Sequence, residues 1–329
     1  MTTNVIFMCG TGGVGKTTSS VAMAMSQARK GKRCVLLTID PAQRLADALH
    51  LPMTGNVASQ VPLPDEAQGE LWAMMLDAGA AFEDFCQQHS TPDTWRNLSA
   101  NRYFHFARGK MGGIQEMMAV MKMMELVTQY DVVIVDTPPA QNAQQFFDAP
   151  EKIQHLFAQS ALQWLTSKSS GFSSVSFAKS LIAKGLHFFL GSETMTEISD
   201  FFGLFQQAAE ALEQIAHQCQ ELLIADTTEY WLIDIPNRRL TQLDALETAL
   251  TKKRIQITGR LLNKAPIPLS PVPDAIDDPS LRQVLQAIYE QQPPISTELC
   301  AQYALQLPHA RSEELESIKG LWRWSLAIT

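Results

Sequence analysis

Apolar positions along this chain fall into two kinds of run. Val5–Cys9, Val35–Ile39 and Val132–Val135 are short and continuous, the pattern of parallel strands covered on both faces. Other stretches repeat their apolar positions at helical spacing. Ser19–Arg29 is the first, closing near Lys30-Gly31, and Gln43–His50 is a shorter one stopped by Pro52. Met53–Gly69, rich in Pro, Gly and polar residues, predicts a loop. Leu71–Leu76 reads as a further strand and Ala80–Gln88 as a helix, whereas Thr91–Gly109 shows no clear period and predicts irregular chain. Ile114–Val127 is helical and carries Met117, Met118, Met121, Met123 and Met124. These methionines suit either an adaptable binding surface or a core helix, and the strand that follows directly favours the core.

From Glu151 to about Ala225 the pattern is almost wholly helical, with segments at Glu151–Leu165, Phe177–Leu190 and Thr194–Leu223. A serine-rich stretch, Thr166–Ser176, lies between the first two and reads as a hinge. Strands return at Tyr230–Ile235 and Ile255–Leu262 around a helix at Leu240–Lys253. Ala265–Pro279 is a proline-rich loop, Leu281–Gln291 a helix, Ala304–Leu307 a short strand and Glu313–Ala327 a closing helix.

This order predicts an α/β fold: a doubly wound, mostly parallel sheet with an inserted helical subdomain. The expected units are 1–78, carrying the first strands; 79–130, a helical segment; 131–150, a further strand and its exit; 151–226, the helical insertion; and 227–329, the rest of the sheet domain. The 329 residues are 46% hydrophobic and 18% charged, enough for a sizeable core. A net charge of −8 without a basic run argues against nucleic-acid binding through a basic face. The five cysteines are scattered and never spaced C-x-x-C, which argues against a disulfide framework or a zinc site. The chain enters strand and loop with no signal-peptide pattern, and no apolar stretch approaches about 18 residues. A cytoplasmic protein without stable membrane insertion is therefore expected.

Chemistry concentrates between the first strand and the first helix. Gly10-x-x-x-x-Gly15-Lys16-Thr17 is a P-loop pattern, placed after a strand and before a helix as that motif requires. Glycines let backbone N–H groups close around phosphate oxygens, and the helix N-terminus adds positive partial charge. Lys16 supplies a point charge for the outer phosphates, and the Thr17 hydroxyl can ligate Mg²⁺. Gly12, Gly13, Val14, Gly15, Lys16, Thr17 and Thr18 thus form the expected ATP-phosphate site. Two acidic residues end apolar strands: Asp40 before Pro41, and Asp136 before Thr137-Pro138-Pro139. Downstream of a P-loop, the latter is a Walker B arrangement whose carboxylate helps hold Mg²⁺; a turn-capping Asp is the plainer alternative.

In these motifs the chain resembles the deviant-Walker ATPases of the arsenite-pump and tail-anchored-protein-targeting type, over nearly its whole length. The resemblance rests on GTGGVGKTTSS at Gly10–Ser20, TIDPAQRLADAL at Thr38–Leu49, VIVDTPPA at Val133–Ala140 and LLNK at Leu261–Lys264. DTPPAQNAQQFFDAP is similar to the bacterial branch. The resemblance implies that Asp40 is a switch I carboxylate activating the attacking water and that Lys16, Thr17 and Asp136 manage phosphates and Mg²⁺. It also makes the DTPPAQNA stretch switch II. Asn263 would hydrogen-bond adenine, and Pro308 would lie against the base. It further implies dimers that close around two ATP molecules and rearrange helical subdomains on hydrolysis.

Thr11 departs from that pattern, because the family usually carries there a lysine that reaches the partner's nucleotide. Loss of such a cation can cost about 10³–10⁵ in rate. A weak homodimer, substitution by Arg44, or a heterodimer with a lysine-bearing paralogue are the three resolutions, and the last is favoured because the other catalytic residues are intact. The expected function is a Mg²⁺-dependent ATPase switch that engages a protein or membrane-protein client through its helices. The plainer alternative is that those helices only cover the sheet. An energising subunit for arsenite-type efflux is the main other reading, and Cys86 and Cys219 are not expected to meet as it would need. A DNA-partition switch is disfavoured by charge, and a nucleotide kinase leaves the DPA and DTPP segments unexplained.

Overall fold

A computed structural model describes residues 3–39, 44–49, 51–53, 55–110, 113–158, 192–235, 241–265 and 305–308, together with 315, 318, 321, 322 and 328. Asp40, the Thr166–Ser176 hinge, the Phe177–Leu190 and Leu281–Gln291 helices, nearly all of the Ala265–Pro279 loop and most of the closing helix lie outside the described residues.

The strands are β1 (Asn4–Gly10), β2 (Arg33–Thr38), β3 (Ser59–Gln60), β4 (Glu70–Met75), β5 (Val132–Asp136), β6 (Thr228–Asp234), β7 (Gly259–Ala265) and β8 (Leu305–Pro308). They form one sheet in the order β3-β4-β2-β5-β1-β6-β7-β8. Every pairing is parallel except β3 with β4, so the predicted doubly wound α/β sheet is the observed one. The helices are α1 (Lys16–Arg29), α2 (Arg44–Leu49), α3 (Ala78–Gln88), α4 (Pro92–Ala100), α5 (Arg102–Lys110), α6 (Ile114–Val127), α7 (Ala140–Ala158), α8 (Ser192–Leu223) and α9 (Thr241–Lys252).

The continuous apolar runs make sense residue by residue. Val5, Phe7, Cys9, Val35, Leu37, Val133 and Val135 belong to one core layer, with side chains from α3 to α9. Ile6, Met8, Cys34, Leu36, Val132 and Ile134 alternate with them and join α1 on the opposite face. Phe7 anchors the first layer, stacked on Tyr230 at 5.1 Å and edge-on to Phe147 at 5.3 Å. Met118, Met121 and Met123 are buried in that layer and Met117 and Met124 partly so, which settles the methionine helix largely as core.

Two stretches differ from the sequence expectation. Residues 92–110 are the helices α4 and α5 and not irregular chain. Thr91 caps α4 by accepting the Thr94 N–H at 3.2 Å, and Pro92 takes the first turn, where its missing N–H costs nothing. Only Leu98 of α4 is buried, so no apolar period marks the helix. Similarly, α7 begins at Ala140 and runs through Pro150, whereas the pattern suggests a start at Glu151. An interior proline costs about 3 kcal/mol, and burial of Phe146 and Phe147 offsets it at about 1.5–3 kcal/mol each. Among the described residues, no helix is long and apolar enough to cross a membrane.

Candidate functional site

The site forms where β1, β2 and β5 end together. Met8 and Thr38 both stand opposite Asp136 in the sheet register. In a parallel sheet this carboxyl-terminal edge is where ligands bind. The chain leaves β1 at Gly10, where an added Cβ would meet the Ile233 carbonyl oxygen and Val14 Cγ2, both at 2.9 Å. The loop closes at Gly15, whose φ of 82° lies in the left-handed region and which caps α1. Gly15 offers no side-chain acceptor, and the first turn of α1 holds no acidic residue. That helix start therefore presents its N–H groups to an anion. Lys16 and Thr11 are both buried within the loop, at 6% and 8% exposure.

Asp136 is the centre of a hydroxyl cluster. Its carboxylate is 1% exposed, and Oδ2 accepts from Thr17 Oγ1 at 2.7 Å and from Thr38 Oγ1 at 3.1 Å. The Ser20 hydroxyl shares its one proton between the Lys16 carbonyl at 2.9 Å and Asp136 Oδ1 at 3.4 Å. A carboxylate beside a threonine hydroxyl is a hard-oxygen donor pair of the kind Mg²⁺ takes alongside phosphate oxygens and water. These residues thus fit the ion that the P-loop pattern implies. Next in sequence, Thr137 is tied back to β1, donating from Oγ1 to the Met8 carbonyl at 2.9 Å. Burial pushes the neighbouring Cys9 thiol up to about 12, and the hydrogen bond with Thr137 only partly opposes that shift.

Sequence reasoning did not single out three contributors to this edge. Thr38 stands two positions before Asp40, and its hydroxyl was readable only as part of the TIDPAQRLADAL motif. Gln115, on the first turn of α6, donates from Nε2 to the Ile39 carbonyl at 2.9 Å. Asp234 ends β6 at 3% exposure and accepts the Ile235 N–H at 2.8 Å, the same strand-end placement as Asp136.

Asn263 reaches the site from β7. Its Nδ2 donates to the Val14 carbonyl at 2.7 Å, its Oδ1 accepts the Lys264 N–H at 2.8 Å, and it is 4% exposed. The side chain that the resemblance assigns to adenine is thus bonded to the P-loop. Pro308 ends β8, paired with Ala265 of β7, so its backbone lies two residues from Asn263 on the neighbouring strand. Asp40, the proposed water-activating residue, follows Ile39 outside the described residues.

A glycine-built anion cradle on a helix start, next to a buried strand-end aspartate bonded to the loop threonine, defines a P-loop nucleoside-triphosphate-binding protein. The family model described as anion-transporting ATPase matches residues 3–250, and the chain belongs to that family. Its relatives include ATPase GET3 of Lachancea thermotolerans, 31% identical over 165 residues that cover 46% of each chain. ATPase get3 of Schizosaccharomyces japonicus is 31% identical over 166 residues, 50% of this chain and 48% of its own. ATPase asna-1 of Caenorhabditis elegans is 27% identical over 165 residues, 46% of each. The chain matches about half the length of these relatives.

Proposed function

We propose that this protein is a Mg²⁺-dependent ATPase whose nucleotide state controls how its helical layer engages a protein or membrane-protein client. The P-loop backbone from Gly12 to Thr18 would hold the phosphates, and Lys16 would neutralise their outer charge. Mg²⁺ would be held by Thr17 and Asp136 and would supply further charge neutralisation at the phosphate oxygens. Asp40 would orient the attacking water. Asn263 has a second amide hydrogen and a second lone pair with which to read adenine, while Pro308 would lie beside the base.

The observation that carries the client reading is a cavity of about 340 Å³ on the helical face. Its walls are mostly apolar and include Phe82, Met117, Ile153, Phe201, Phe202 and Phe205, from α3, α6, α7 and α8. Cavities of this size and lining suit apolar side chains, such as those of a helical segment, better than polar ligands. Photo-crosslinking of an apolar helical peptide, compared in ATPγS and ADP, tests this. Capture should depend on nucleotide and fall with Phe202→Glu, which charges a partly exposed wall position. Equal capture by the variant would remove the cavity's role.

Thr11 motivates the proposed dimer, preferably with a lysine-bearing paralogue that completes one site. Native complex masses test this directly, since two different subunits are expected and a single mass would favour a homodimer. Metalloid efflux is the weaker reading. Cys9, Cys34, Cys86 and Cys219 are all buried, and burial raises each thiol above its ordinary value. Such thiols are poor ligands for a soft trivalent metalloid arriving from solvent.

A further inference from the structure

Ile39, directly after β2, is held on both sides by groups outside the P-loop. Ile39 donates its N–H to the Asp136 carbonyl at 3.1 Å, and its own carbonyl accepts from Gln115 Nε2 at 2.9 Å. That carbonyl and the N–H of Asp40 belong to one planar unit, so the bond from Gln115 restrains the backbone from which Asp40 departs. Gln115 sits on the first turn of α6, where the cap, Gly113, lies at φ 90° and contributes no side-chain hydrogen bond. Its neighbours Gly113, Ile114, Glu116 and Met117 all line the helical-face cavity. One turn of helix therefore touches the switch I strand end through one side chain and the cavity through the residues on either side.

We propose that Gln115 is a positioning residue. It sets the orientation of the Ile39–Asp40 peptide and transmits changes there to the cavity wall at the start of α6. This rests on the proposed roles of Asp40 and the cavity. A single neutral hydrogen bond sets the scale of the coupling, about a fivefold effect on either end.

The test compares wild type with Gln115→Met, which keeps the side chain's length and removes its donor. Hydrogen exchange of the α6 first-turn amides is measured in Mg²⁺-ATPγS and in Mg²⁺-ADP, alongside ATPase kinetics. In wild type the two nucleotides should give exchange rates differing about fivefold, and Gln115→Met should bring that difference below about twofold. The variant's kcat, counted per nucleotide-binding site so that unfolded protein is excluded, should fall about fivefold with KM for ATP within twofold. Gln115→Glu, which presents an acceptor to the Ile39 carbonyl, should show the same loss and serves if the first variant folds poorly. An unchanged exchange difference in either folded variant would overturn the proposal, as would the absence of a nucleotide response in wild type. A wild-type protein that binds both nucleotides but does not hydrolyse ATP would refute the ATPase reading alone, because exchange still reports on the link.

Discussion

Gly15→Ala should damage the protein in two separable ways, and a double-mutant cycle with Asn263→Ala measures each. The new methyl group would sit 2.3 Å from Asn263 Nδ2, far inside contact distance, on a backbone at φ 82°. Left-handed backbone costs a non-glycine residue about 1–2 kcal/mol. Relief of the clash must push Asn263 off the Val14 carbonyl, leaving buried polar groups unpaired at about 1–3 kcal/mol. Asn263→Ala alone incurs mainly the second cost, and the double variant incurs both costs once. The two single losses should therefore exceed the double loss by about 1–3 kcal/mol, the cost counted in both. Urea unfolding followed by tryptophan fluorescence gives the three differences. Additivity within about 0.5 kcal/mol would show that Asn263 does not brace the loop and would refute the contact.

Thr38→Val removes one donor from Asp136 Oδ2 while keeping the shape of the side chain. It should raise the Mg²⁺ concentration needed for tight ATP-analogue binding about tenfold, with binding in EDTA unchanged; titration of a fluorescent nucleotide checks this. Lys253 bridges α7 through Asp148 at 3.0 Å and Glu151 at 2.7 Å. Burial opposes its charge, yet those two partners outweigh burial and raise its pKa above 10.5. Its stabilisation is thus fully present below the unfolded value and lost as pH rises through the raised one. The stability gap between wild type and Lys253→Met should hold from pH 7 to about 10 and shrink above that in parallel melts. Thiol labelling at pH 8, mapped residue by residue by mass, should leave Cys9, Cys34, Cys86 and Cys219 unreacted over the minutes in which a free thiol is consumed, and denaturant should open each of them to label.

The sheet was legible because each of its central strands is covered on both faces and so forms an unbroken apolar run. Asp136 was legible for a related reason, as a charge has no place in such a run except at its end. What escaped was set by contacts distant in sequence or by helices with little to bury. Asn263 meets Val14 across 249 positions, and Gln115 meets Ile39 across 76, so no local pattern announces either bond. α4 has a capping threonine and a proline but only one buried residue, and a period cannot be read from one position. The start of α7 was hidden because Pro138, Pro139 and Pro150 all read as breaks, whereas tertiary burial of Phe146 and Phe147 carries the helix across the last of them.

Helix α7 has the geometry of a lever arm. It starts at Ala140, directly after the Thr137-Pro138-Pro139 segment tied to Met8, and passes the cavity wall at Ala149 and Ile153. At 1.5 Å per residue the arm from Ala140 to Ile153 is about 20 Å long, so a tilt of about 5° at its root displaces the wall by about 1.7 Å. Pro150 removes one backbone hydrogen bond just before the loaded end, and a helix missing such a bond bends more easily there. Compliance at that point would absorb part of such a tilt. Since coupling between two sites is reciprocal, the same softness would cap how strongly an occupant of the cavity could change the affinity for nucleotide.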